Sequence, residues 1–120
     1  MLTISTNEII TVNRGDTFSL NVLINVGTQL EPIVYFLNEN DSLYFGLTEP
    51  NQPFEFALIR KELKAADQDK DGFVSIDFKT TDTERIIPGE YYYTIKLVRR
   101  KDEEEIVDTI TPKTKFFIIE

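Results

Sequence analysis

The stretch DQDKDGFVSIDF, residues 67 to 78, places Asp67, Asp69 and Asp71 at alternate positions and follows them at once with Gly72. Such spacing opens a calcium loop of the EF-hand type, in which carboxylates at loop positions 1, 3 and 5 are joined by a backbone carbonyl at 7 and a bidentate Glu at 12, giving about six to eight oxygens. Here Phe73 would offer the carbonyl, but the closing position holds Phe78, and Asp77 stands one place early. Without its bidentate closure the three carboxylates can form at best a weak calcium site with water in the shell. The competing reading is that Asp and Gly are what tight loops prefer.

Other chemistry is poorly supplied. The chain has no cysteine and no histidine, which removes disulfides, thiolate and imidazole metal ligands, the Cys nucleophile and the commonest general base. Asp82 and Glu84 are spaced as a carboxylate pair, yet no nucleophile, base or phosphate loop accompanies them, so no catalytic residue is assigned and no enzyme is expected. Arg14-Gly15-Asp16 spells an integrin-type tripeptide, which a turn between strands would also use. Tyr91, Tyr92 and Tyr93 suit a binding platform, but aromatics are strong strand formers. Tyr91 and Tyr93 are expected in the core with their hydroxyls at the rim, and Tyr92 exposed.

The elements that must position these residues are strands. Thr17 to Val26 alternates with period two, putting Phe18, Leu20, Val22, Ile24 and Val26 on one face. Glu90 to Val98 and Phe73 to Lys79 do the same, so the acidic loop runs into a strand where an EF-hand runs into a helix. Shorter β-rich runs lie at Ile9–Asn13, Ile33–Leu37, Leu43–Leu47, Ile106–Thr111 and Thr114–Ile119, with turn residues between them. Phe54 to Ala66 is ambiguous: alternation of Phe54, Phe56 and Leu58 favours a strand through about Lys61, followed by a loop or a single helical turn. The charged run Arg99 to Glu105 reads as a solvated hairpin tip. Many short strands at this spacing predict an all-β fold, a sandwich of about seven to nine antiparallel strands forming one domain over residues 1–120.

Composition narrows the partners. A chain of 120 residues buries enough surface to fold without a staple. Its 13 Lys and Arg against 21 Asp and Glu give a net charge of −8, which repels nucleic acid and anionic lipid. No run is long enough to span a bilayer, and residues 1–20 lack a signal-peptide pattern, so synthesis in the cytoplasm without membrane association is expected.

Taken in order, NRGDTFSLNV, DKDGFVSIDF, DTERIIPGEYYYTIKLV and VDTITPKTKFFII resemble the small immunoglobulin-like domains of tailed phages and prophages of Gram-positive bacteria, among them the N-terminal domain of the phage upper baseplate protein. The similarity runs across nearly the whole chain. In that family further segments follow the domain, whereas this sequence stops at Glu120, so baseplate attachment itself is not carried over. The resemblance implies an immunoglobulin-like sandwich made in the bacterial cytoplasm and serving as a structural or accessory virion module, binding other virion or tail proteins or further copies of itself. Pro88-Gly89-Glu90-Tyr91 would form a corner with a Tyr hydroxyl bonded back to the loop, which Asp82 and Thr83 would help hold. The terminal KTKFFIIE is expected to be an edge strand guarded by Lys113 and Lys115, with Phe117 and Ile119 at the subunit contact. No cofactor is expected apart from calcium in the alternative reading, a calcium-dependent binding module on Asp67, Asp69, Asp71 and Phe73; a cytoplasmic regulator is a weaker third.

Overall fold

The computed structural model describes residues 2–5 as backbone, and 8–25, 30–31 and 33–120 in full. The fold is mostly β. Its strands are β1 (Leu2–Ser5), β2 (Ile10–Asn13), β3 (Phe18–Leu23), β4 (Ser42–Thr48), β5 (Ile59–Leu63), β6 (Phe73–Phe78), β7 (Gly89–Lys101) and β8 (Glu104–Ile119). They form a three-stranded sheet in the order β1-β3-β6 and a five-stranded sheet in the order β2-β8-β7-β4-β5.

The period-two segments are where the sequence puts them. β3 and β6 pair antiparallel from Phe18↔Phe78 to Leu23↔Phe73 and turn Phe18, Leu20, Val22, Val74, Ile76 and Phe78 into the core. β7 buries Tyr91, Tyr93, Ile95 and Leu97. The two sheets meet through a closed circuit of rings. Phe18 stacks on Phe78 at 4.5 Å, Phe78 meets Phe45 edge-on at 5.1 Å, and Phe45, Tyr93 and Phe116 continue the circuit back to Phe18 at centroid distances of 6.0 to 6.1 Å. Aromatic pairs at these separations add to the stabilisation that area burial alone supplies.

The expectation of a wholly antiparallel fold is corrected at two pairings. β1 runs parallel to β3 and β2 parallel to β8. Parallel neighbours need a crossover of about a dozen residues; between β1 and β3 that crossover is the chain passing through β2 in the other sheet. Tyr93 anchors it. Its buried hydroxyl donates to the Glu8 carbonyl at 2.7 Å and accepts the Glu8 N–H at 3.1 Å, so a core side chain satisfies the backbone where the chain changes sheets.

Three segment assignments also change. Ile33–Leu37 is no strand: it makes a single bridge, Asn25↔Val34, while the Ile33 N–H goes to the Asn25 side chain, the Tyr35 N–H to the Ile24 carbonyl, and the Tyr35 carbonyl and Leu37 N–H to the side chain of Gln68. Of the neighbouring Thr17–Val26 run, Val26 lies outside the described residues. Phe54–Phe56 is a 3-10 turn, the strand begins only at Ile59, and a second 3-10 turn covers Ala65–Asp67. The alternation of Phe54, Phe56 and Leu58 was a surface pattern: Phe56 and Leu58 are exposed, and the Phe54 ring lies over Gly46, where an added Cβ would stand 2.4 Å from it. Finally, Ile106–Thr111 and Thr114–Ile119 are one strand, β8. Its register against β7 slips twice between Tyr93 and Lys96, and each slip leaves one extra residue on β8. Pro112 is accommodated at these bulges without costing a ladder bond.

Candidate functional site: the acidic loop, the corner and the terminal strand

The acidic loop is built from backbone hydrogen bonds to its own carboxylates. Asp67 accepts the Lys64 N–H at 2.8 Å, closing the 3-10 turn before it. Asp69 accepts the N–H groups of Asp71 and Phe73, both at 2.9 Å through Oδ1, and its own N–H donates to the Phe73 carbonyl at 2.9 Å. The carbonyl expected to be a calcium ligand is therefore engaged within the turn. Among the described residues no group of three or more Asp, Glu, His or Cys side chains converges as metal ligands, so Asp67, Asp69 and Asp71 are not gathered around a common point. Phe78, at the closing position, is 1% exposed within the aromatic circuit.

Gln68, which the motif passes over, organises this end of the molecule. Its Nε2 donates to the carbonyls of Tyr35 at 3.0 Å and Gly72 at 2.9 Å, and its Oε1 accepts the Leu37 N–H at 2.7 Å. A single amide thus ties the 35–37 segment to the acidic turn, and nothing in the spacing of the aspartates signals it. Beside it, Asp41 is buried and accepts the Tyr35 hydroxyl at 2.6 Å and the Asn38 N–H at 2.9 Å. Burial, then the hydrogen bond and charge of Asp41, push the Tyr35 phenol above its ordinary value, so it remains a donor at neutral pH.

The corner before β7 forms as read. Tyr91 donates its hydroxyl to the Ile87 carbonyl. Thr83 is fully buried and accepts the Gly15 N–H at 2.8 Å, which joins this corner to the Arg14-Gly15-Asp16 turn. That tripeptide is occupied structurally: the Arg14 N–H bonds the Ile119 carbonyl at 2.7 Å and its guanidinium pairs with Glu120 at 2.5 Å. Tyr92 is half-buried, with Lys113 5.1 Å above its ring.

Asp82 accepts the Lys79 N–H at 2.7 Å and pairs with Lys61 at 2.9 Å. Burial acts to raise its carboxyl, but the Lys61 hydrogen bond, the Lys79 N–H and the charges of both lysines outweigh it and hold the group below the ordinary carboxylate range. A carboxyl lowered on folding contributes stability that is present above its unfolded value and lost as pH falls through the folded one. The wild-type protein should therefore lose stability as pH drops below about 4, and Asp82→Asn should flatten that limb of the melting-temperature profile. A profile with the same acid limb in both proteins would refute the assignment.

The terminal strand is not an edge where Phe117 and Ile119 lie. Residues 116–119 of β8 are flanked by β7 on one side and by β2 on the other, because Ile10–Asn13 pairs with Phe116–Ile119. Phe116 and Ile118 face the core, so Phe117, half-buried, and Ile119, 46% exposed, point from the outer face of the sheet. The sequence shows the alternation but not the distant strand that covers the edge.

No family model and no curated protein matches the chain. Among solved structures it is similar to the N-terminal domain of phage TP901-1 ORF48, with a TM-score of 0.53 and 15% identity over 99% of this chain and 96% of that one. At such identity the likeness carries the fold, so what the two share is a β architecture matched across essentially their full lengths.

Proposed function

We propose that the chain is a structural or accessory module of a tailed phage or prophage, an immunoglobulin-like sandwich that works through protein contacts with other virion or tail proteins and performs no catalysis. The observation that carries this reading is the end-to-end fold match to a phage protein domain. The lack of cysteine and histidine is consistent with it, as is the use of Asp67, Asp69, Asp82 and Thr83 to bond loop backbone or neighbouring side chains. Fold alone does not fix function, and the partner must be identified by binding.

The test is co-expression of the tagged chain with phage tail proteins, beginning with any encoded beside it, together with mass spectrometry of purified particles. Stoichiometric recovery with one tail protein, or a fixed copy number in particles, is the expected result. Absence from particles combined with no binding to any neighbouring tail protein would sink the proposal.

A further inference from the structure

The β7–β8 hairpin reaches past the sheet that supports it. β4 accompanies β7 only as far as Ser42↔Val98, so Arg99 to Lys101 and Glu104 to Ile106 continue as a two-stranded ribbon. Its turn, Asp102-Glu103, has both residues at positive φ, 52° and 66°, the geometry of a two-residue hairpin turn whose twist matches the strands.

The ribbon separates charge. Asp102, Glu103, Glu104 and Glu105 form the tip, all exposed. Behind it Arg99, Arg100 and Lys101 line a cleft of about 410 Å³ together with Tyr35, Asn38, Asp41 and Ile106, the Asp41 carboxylate being taken by the Tyr35 hydroxyl and the Asn38 N–H. Arg99 is committed to Asp108 at 2.6 Å and lies over the Tyr35 ring. Arg100, Lys101 and the four acids of the tip make no ion pair among the described residues, although Arg100↔Glu105 and Lys101↔Glu104 stand directly across the ladder. Ile106 and Val107, at the base of the ribbon, are 39% and 52% exposed.

We infer that this ribbon is a self-docking element: the acidic tip of one copy enters the Arg99–Lys101 cleft of a second copy, reciprocally about a two-fold axis. The occupant is chosen by charge. On a chain of net charge −8 a second copy meets general repulsion, and the cleft offers Arg100 and Lys101, its two cations outside any ion pair among the described residues, where the four acids of a partner's tip can reach. A two-fold arrangement uses the same patch twice, so each pair of copies forms two such contacts and closes without leaving a sticky end. The apolar side chains of Ile106 and Val107 flank the contact.

This inference names a self-contact and stands apart from the phage partners: a monomer would remove it and leave the binding of tail proteins untouched. The experiment is sedimentation velocity on the full chain up to roughly millimolar concentration, the weak end of specific association. Wild type should shift from the mass of one chain toward two. R100E/K101E and E103K/E104K/E105K, each folded by circular dichroism, should stay monomeric alone and form a heterodimer when mixed, because the substituted positions of tip and cleft again join opposite charges. Lysine replaces Glu103 at the same backbone angle; if the triple variant nevertheless fails to fold, E104K/E105K, which leaves the turn intact, takes its place. A wild type that is monomeric throughout, variants that still dimerise alone, or a mixture that does not associate would each overturn the inference.

Discussion

Phe78→Glu is expected to abolish cooperative folding at neutral pH, and added calcium is expected not to restore it. The substitution is chosen because it completes the EF-hand pattern begun by Asp67, Asp69 and Asp71, and the two interpretations of that loop then predict opposite results. If the loop were a calcium site lacking its closing ligand, glutamate would supply two oxygens and calcium would raise the melting temperature by mass action. In the fold, Phe78 is 1% exposed, stacked on Phe18 and edge-on to Phe45. Removing an aromatic side chain from such a position costs about 3–5 kcal/mol before any charge is considered, and an ionised carboxylate there adds the cost of burial without a partner. Lys61 lies 5.4 Å above the Phe78 ring, but it is already paired with Asp82 at 2.9 Å. Against a total stability of about 5–15 kcal/mol, the sum leaves little or nothing. Circular dichroism and a urea titration with and without calcium decide the matter: a folded variant stabilised by the ion would reinstate the calcium site. Phe78→Leu, which keeps the apolar character, should remain folded with a lower midpoint.

The same residue shows what the sequence made legible and what it did not. The alternation of Val74, Ile76 and Phe78 puts Phe78 on the core face, because a half-buried strand writes its burial into a period of two. β3, β6 and β7 were readable for that reason, and so was the tyrosine corner, whose turn residues and hydroxyl are close in sequence. Contacts set by distant chain were not. The cover that β2 lays on residues 116–119 depends on a pairing between opposite ends of the chain, and neither segment carries a mark of it. The Phe54 ring rests on Gly46, with Lys96 4.8 Å and Arg60 5.4 Å away, so its alternation with Phe56 imitated a strand while it served as a lid on the outer face of β4. The composition of Ile33–Leu37 is strand-like, yet Gln68, thirty or so positions on, offers its backbone an alternative to a ladder, and no local pattern marks that partner.

Gly72→Ala is expected to cost about 2–3 kcal/mol, most of it from an angle and a contact that no other residue type meets well. Gly72 sits at φ +94°, and a Cβ there would stand 2.4 Å from Cγ1 of Val34. Its N–H closes the acidic turn on the Asp69 carbonyl at 3.1 Å, and its own carbonyl accepts from Gln68 at 2.9 Å, so the turn has little freedom to rotate away. Gly15 provides the comparison. At φ +84° an alanine would pay a similar backbone cost, but the nearest atom, on Thr80, is 3.8 Å from the added Cβ, an ordinary contact. Gly15→Ala should therefore cost only the angle, about 1 kcal/mol, and the difference between the two variants isolates the clash with Val34. In thermal melts Gly72→Ala should fall by about 10 °C and Gly15→Ala by less than half of that. Equal losses would mean that Val34 moves aside at no cost, and that the amide of Gln68 does not hold the 35–37 segment against the acidic turn.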